Sequence, residues 1–108
     1  MNQERRTLAI DLDGVIAKVR EDLDYANCEV IPGAREALNA LREKGWLIAL
    51  HTARHFNHLT TTREWLERNN IPYDHLIMGK PTARFYIDDR AVEFSGCWEK
   101  IIERVNCP

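Results

Sequence analysis

Four aspartates, a lysine and a threonine stand directly after short apolar runs in this chain: Asp11, Asp13, Thr52, Lys80, Asp88 and Asp89. Asp11 and Asp13 lie two residues apart in LAIDLDGVI, so in strictly extended chain they share a face. Carboxylates gathered without compensation repel one another, and a bound cation removes the problem. All-oxygen donors suit a hard ion, and Mg2+ takes a few carboxylates together with water and substrate phosphate. Lys80 adds a fixed positive charge and Thr52 a hydroxyl donor. A carboxylate nucleophile, a second carboxylate, Mg2+, a lysine and a hydroxyl suit phosphoryl transfer through an aspartyl phosphate. Metal, lysine, hydroxyl and backbone amides stabilise charge on the transferring oxygens. The second aspartate can protonate the leaving oxygen and then deprotonate the attacking water.

These residues act together only if the fold delivers them to one place. Thr7 to Ile10 is a short apolar run that suits a buried parallel strand, closed by Asp11 and Gly14. Ala17 to Glu29 is mostly polar and acidic and reads as a loop or flap, with Glu21, Asp22 and Asp24 as solvated charge and Tyr25 as a surface aromatic. Pro32-Gly33 opens a helix in which Ala34, Ala37, Leu38 and Leu41 keep helical spacing, and Gly45 stops it. Trp46 to Leu50 predicts a second strand, and His51 to Leu59 a loop. Thr61-Thr62-Arg63-Glu64 fits a capping box with Thr61 as N-cap, and Asn69-Asn70 before Pro72 ends that helix. His75 to Met78 predicts a third strand, Gly79-Lys80-Pro81 a turn, and Phe85 to Ile87 a fourth strand closed by Asp88-Asp89. Ser95 is placed to cap a last helix carrying Trp98, Ile101, Ile102 and Val105. Trp46, Trp65 and Trp98 each sit in an apolar pattern and read as core. Strands alternating with helices make an α/β fold with a small parallel sheet, and ligands bind such sheets beyond the carboxyl ends of the strands.

The 108 residues fit one domain, with no internal repeat or linker. A hydrophobic content of 44% and a charged content of 30% describe an ordinary globular chain. The formal net charge of −2 gives no basis for a nucleic-acid or membrane partner, and the charge in Glu4-Arg5-Arg6 is balanced by its own acid. The polar start of the chain is not a secretory signal, so the cytoplasm is the expected compartment. Cys28, Cys97 and Cys107 are then expected to be reduced thiols rather than a metal set.

The run DLDGVI resembles the first motif of the haloacid dehalogenase superfamily of phosphohydrolases, HTAR its second, the lysine of GKP its third and YIDDR its fourth, in that order. HTAR, WLERNNIPYDHLIMGKP and FYIDDRAVEF resemble most closely the small capsular-polysaccharide-biosynthesis phosphatases of that superfamily. The resemblance covers Thr7 to about Phe94, with Val15 standing where a threonine often follows the motif glycine. It implies a three-layer Rossmann-like core without a separate cap domain. It implies Asp11 as nucleophile and Mg2+ ligand, Asp13 as general acid/base with its backbone carbonyl on the metal, and Asp88 as a further ligand. Thr52 would hydrogen-bond the phosphoryl oxygen, Lys80 would neutralise nucleophile and phosphate, and Asp89 would support the metal shell or orient Lys80. Arg54, Arg90 and His51 are candidates for holding substrate. The implied substrate is a small phosphorylated metabolite, with a sugar phosphate favoured, and an uncapped site admits a homo-oligomer.

Two other readings use similar residues. The DDR ending also resembles the phosphatase domain of polynucleotide kinases, which would make the chain a 3′-phosphatase on nucleic-acid ends. A receiver-like phosphoacceptor module is disfavoured because Lys80 precedes Asp88-Asp89. His51, His55 and His58 invite a zinc site, but they lie in a predicted loop without a carboxylate partner motif.

Overall fold

The computed structural model describes residues 6–106; Glu4, Arg5 and Cys107, read above as surface charge and a thiol, lie outside the described residues. Strands β1 (Thr7–Asp11), β2 (Leu47–Thr52) and β3 (His75–Met78) form a parallel sheet in the order β1-β2-β3. Ile48, Ala49 and Leu50 are all buried, as a central strand covered on both faces requires. The register sets Asp11 beside His51, and Thr52 beside Met78, at the carboxyl ends of the strands.

Helix α1 (Ala34–Glu43) buries Ala34, Ala37, Leu38 and Leu41, the stripe that the spacing predicted. Gly33 precedes it at φ 86°, a left-handed conformation that suits glycine, and a Cβ there would stand 3.7 Å from that of Trp98. Helix α2 (Leu59–Arg68) turns Thr62, Trp65 and Leu66 inward. Helix α3 (Trp98–Asn106) lies beside α1. One core joins the sheet to all three helices, centred on Leu12, Ile16, Leu38, Leu50, Trp65 and Trp98. The indole N–H groups of the three tryptophans all donate: Trp65 to the Cys28 carbonyl at 2.8 Å, Trp98 to the Val15 carbonyl at 3.1 Å and Trp46 to Asn106 Oδ1 at 3.4 Å.

The flap from Ala17 to Glu29 is more ordered than its composition suggests. Its base is closed by Lys18 N–H donating to the Glu29 carbonyl and Ile31 N–H to the Ile16 carbonyl, each at 2.8 Å. Arg20 grips Asp22 through two hydrogen bonds, which hold that carboxyl down at about 2, and the Asp24 amide donates to the same side chain. A 3-10 turn, Tyr25–Asn27, packs on α2.

Three expectations change. Helix α2 starts at Leu59 rather than after a Thr61 cap: a 3-10 turn, Phe56–His58, leads straight into it, and the His55 ring accepts the Asn57 amide at that entrance. Ser95 stands short of α3, which begins at Trp98. Phe85 to Ile87 forms no strand; 79–97 is irregular and Ile87 is 99% exposed. Local contacts satisfy this segment instead of a ladder. Tyr86 O–H donates to the Pro81 carbonyl at 2.6 Å, Arg90 N–H to Asp88 Oδ1 at 2.8 Å, and Lys80 lies over the Tyr86 ring. The outer edge of β1 has no strand partner among the described residues. No helix among them is long and apolar enough to cross a membrane.

Asp74 anchors the lower end of the sheet. Its Oδ2 accepts the Ile48 amide and its own amide donates to the Ile48 carbonyl, both at 2.8 Å. Asp74→Ala leaves the Ile48 N–H unpaired at a half-buried site, which is expected to lower stability by about 1–3 kcal/mol in urea denaturation. A midpoint unchanged from the parent would remove this anchor from the account.

Candidate active site

Both motif aspartates arise where β1 gives way to a tight turn. The Leu12 amide still donates to the His51 carbonyl at 3.0 Å, so the chain follows β2 one residue past the strand. The Leu12 carbonyl then accepts Ile16 and Ala17 amides, both at 2.9 Å, and Gly14 takes φ 87° to make the reversal. Leu12 points into the core, fully buried, which leaves Asp11 and Asp13 partly open to solvent.

Lys80 reaches the site from the turn after β3. Its amide donates to the Thr52 carbonyl at 2.8 Å and the Gly79 amide to the Arg54 carbonyl at 3.3 Å, so the turn is pinned to the end of β2. The Lys80 ammonium stands 3.5 Å from Asp11 Oδ2. His51 lies next to Asp11 in the register. Its imidazole pKa is lowered, first by burial and then by the nearby Lys80 charge, and only partly offset by Asp11. The structure therefore gathers Asp11, Lys80 and His51 at one sheet edge, as the apolar runs predicted.

Around Asp13 the arrangement departs from expectation. Thr52 is fully buried; its hydroxyl donates to Asp13 Oδ2 at 2.9 Å and accepts the Arg54 amide at 3.1 Å. The hydroxyl is thus engaged with Asp13 rather than directed at a phosphoryl oxygen. Arg54, read as a substrate contact, is turned inward with its side chain 1% exposed. Its Nη2 donates to Asp13 Oδ1 at 2.7 Å and its Nε lies 3.2 Å from both carboxylate oxygens. Its Nη1 donates to Thr62 Oγ1 at 3.0 Å, and its plane lies over the Tyr25 ring at 3.9 Å. The His58 ring meets Tyr25 edge-on at 4.9 Å. A guanidinium taken out of water requires such partners, because desolvating an unpaired charge costs several kcal/mol.

Tyr25 and Thr62 were not among the predicted site residues. Thr62 carried a signal: it is a hydroxyl placed three and four residues before Trp65 and Leu66 on the inward stripe of α2. His55 and His58 serve the entrance of α2 and the Tyr25 ring. Burial pushes the Cys28 thiol up, away from nucleophilic use.

Asp88, Asp89 and Arg90 are exposed on the irregular segment, and the structure does not bring them to Asp11. Among the described residues no three of His, Cys, Asp and Glu are grouped so as to hold a metal ion. As arranged, the predicted Mg2+ set is not assembled: the Asp13 carboxylate is engaged by Arg54 and Thr52, and Asp88 stands on the exposed segment with Oδ1 accepting the Arg90 amide. A depression of about 220 Å³ opens beside Asp13, between Leu23, Tyr25, Ala53 and Thr82. A larger hollow of about 390 Å³ lies at the other end of the sheet by Gly45 and Trp46, without a carboxylate.

A structural-genomics target from Vibrio cholerae is 30% identical over 94% of each chain, with a TM-score of 0.82. D,D-heptose 1,7-bisphosphate phosphatase from B. bronchiseptica, crystallised with magnesium and phosphate, is 18% identical over 92% of this chain and 62% of its own, with a TM-score of 0.56. A chain of the Pnkp1/Rnl/Hen1 complex is 21% identical over 78% of this chain and 31% of its own, with a TM-score of 0.61. No protein-family model matches the chain, and no curated protein does.

His51 offers a direct check on the edge just described. Its folded midpoint is expected below the ordinary imidazole value near 6.5 in an NMR titration. Below that ordinary value the unfolded chain binds a proton that the folded chain resists. The His51 contribution is therefore complete above about pH 6.5 and lost as pH falls toward the folded midpoint. A midpoint above 6.5 would place the ring in solvent or against Asp11 alone.

Proposed function

We propose that this chain, which belongs to one family with the Vibrio cholerae protein and has the haloacid dehalogenase fold, is a phosphatase that hydrolyses a small phosphomonoester through Asp11. The observation that carries the reading is the Asp11–Lys80 pair, 3.5 Å apart at the carboxyl edge of the sheet and partly open to solvent. A phosphoryl group over Asp11 lies within reach of the ammonium, which offsets its charge. The Asp11 carboxylate attacks phosphorus, and the bond to the leaving oxygen breaks. Asp13 supplies that oxygen with a proton. Water then attacks the phosphoenzyme, Asp13 takes its proton, and the Asp11 carboxylate is released with inorganic phosphate.

Mg2+ dependence is part of the proposal. It is supported by the magnesium and phosphate found with the heptose bisphosphate phosphatase, and by the acidic pair that follows Phe85-Tyr86-Ile87. It requires Asp88 to come to Asp11, as pairing of that apolar run alongside β1 would bring it. A sugar phosphate is the favoured substrate class, on the motif resemblance and the same neighbour. A second reading, hydrolysis at RNA or DNA 3′ ends, is favoured by the likeness to a chain of an RNA repair complex and opposed by the net charge of −2.

A panel of sugar phosphates, aryl phosphates and a 3′-phosphorylated oligonucleotide, assayed with Mg2+ and with EDTA, tests both readings. Hydrolysis of the small esters is expected, with loss in EDTA and recovery on adding Mg2+. Asp11→Asn is expected to lower turnover by roughly 10³-fold or more with an unchanged circular dichroism spectrum. Parental turnover in that variant would sink the nucleophile, and undiminished activity in EDTA would sink the metal requirement.

A further inference from the structure

We propose that Arg54 is a positioning residue that holds the Asp13 carboxylate for the water that ends the reaction, an inference that rests on the phosphatase reading above. Arg54 is turned away from solvent in this arrangement: its side chain is 1% exposed and each of its three nitrogens already donates to Asp13 or Thr62. What it does is fix an acceptor. A carboxylate offers about four lone-pair sites. Three donor hydrogens address Asp13: one on Arg54 Nη2, one on Nε shared between both oxygens, and the Thr52 hydroxyl. The shared Nε contact is the weakest of these, and Asp13 keeps 28% of its side chain exposed, so a water can approach a carboxylate whose plane the fork fixes.

The fork is itself held from three directions. The Arg54 amide takes a lone pair of Thr52 Oγ1, which turns the hydroxyl hydrogen toward Asp13. Thr62 on α2 anchors Nη1, and Tyr25 of the flap covers the guanidinium plane. A carboxylate left to rotate would present no fixed acceptor, and orientation is a large share of what a catalytic base contributes. In the step concerned, the water oxygen bonds to phosphorus while its proton passes to the exposed side of the Asp13 carboxylate. The bond between phosphorus and Asp11 breaks, its electron pair returning to the Asp11 carboxylate. Inorganic phosphate departs, and the proton on Asp13 passes to the leaving oxygen of the next substrate.

The assignment separates the two half-reactions. With p-nitrophenyl phosphate the leaving group departs without a proton, so forming the phosphoenzyme does not need Asp13. Arg54→Lys keeps the charge but loses the fork, and Thr62→Val releases Nη1. In both variants kcat and KM are expected to fall together, by roughly 10- to 100-fold for Arg54→Lys and less for Thr62→Val, with kcat/KM close to the parent. A burst of one nitrophenolate per site should appear in rapid mixing, with phosphoenzyme accumulating. Methylguanidine is expected to restore turnover to Arg54→Ala. Thermal melts establish that each variant is folded. A rise in KM at constant kcat would make Arg54 a substrate contact, and a fall in kcat/KM without a burst would make it merely structural; either result overturns the inference alone. A parent enzyme that forms no phosphoenzyme overturns both the inference and the reading on which it rests.

Discussion

A guanidinium buried to within 1% of its surface constrains everything around it. Left unpaired, such a charge would cost several kcal/mol, so the fold must bring it a counter-charge, further acceptors and a face to lie on. Asp13 supplies the charge, Thr62 the acceptor and Tyr25 the face. These come from the turn after β1, from α2 and from the flap. Their meeting at Arg54 sets where the flap lies over the sheet edge, why α2 turns a hydroxyl inward beside Trp65, and why one of two adjacent motif aspartates is locked while the other faces a lysine.

Much of this architecture was legible in the residue order. Short apolar runs before Asp11, His51 and Gly79, bounded by turn residues, gave three strands, the central one buried on both faces. The placement of Asp11 and Lys80 at one edge followed from that. Other parts were hidden because they depend on partners far along the chain. That Arg54 turns inward cannot be read from HTAR, since its acceptors lie 41 residues before it and 8 after. That Thr61 would not cap α2 depends on His55 holding a preceding turn. Phe85 to Ile87 has the composition of a strand, yet three residues between Arg84 and Asp88 are too few to outweigh the local contacts of Tyr86 with Lys80 and Pro81.

The two sides of the site differ in how firmly they are made. Asp13, Thr52 and Arg54 form a closed set in which no buried side-chain donor or acceptor lacks a partner among the described residues. Asp11 has a single long ion pair and an open approach. Such a division leaves one carboxylate accessible to a ligand while the other keeps one orientation. The fold recurs around magnesium and phosphate in a chain only 18% identical, so the scaffold tolerates extensive change in the side chains that fill it.

Strand order also has a kinetic consequence. The sheet runs β1-β2-β3 in chain order, so each strand pairs only with its neighbour in sequence and no later strand inserts between two earlier ones. Each pairing is parallel and joins distant residues, Thr7 with Leu47 and Ala49 with His75, and such closures are slow. Asp13, Tyr25, Thr52, Arg54 and Thr62 all fall within residues 11–62. During synthesis, the ion pair and its supports can therefore close once α2 has emerged, before β3 and α3 exist to cover the rest of the core.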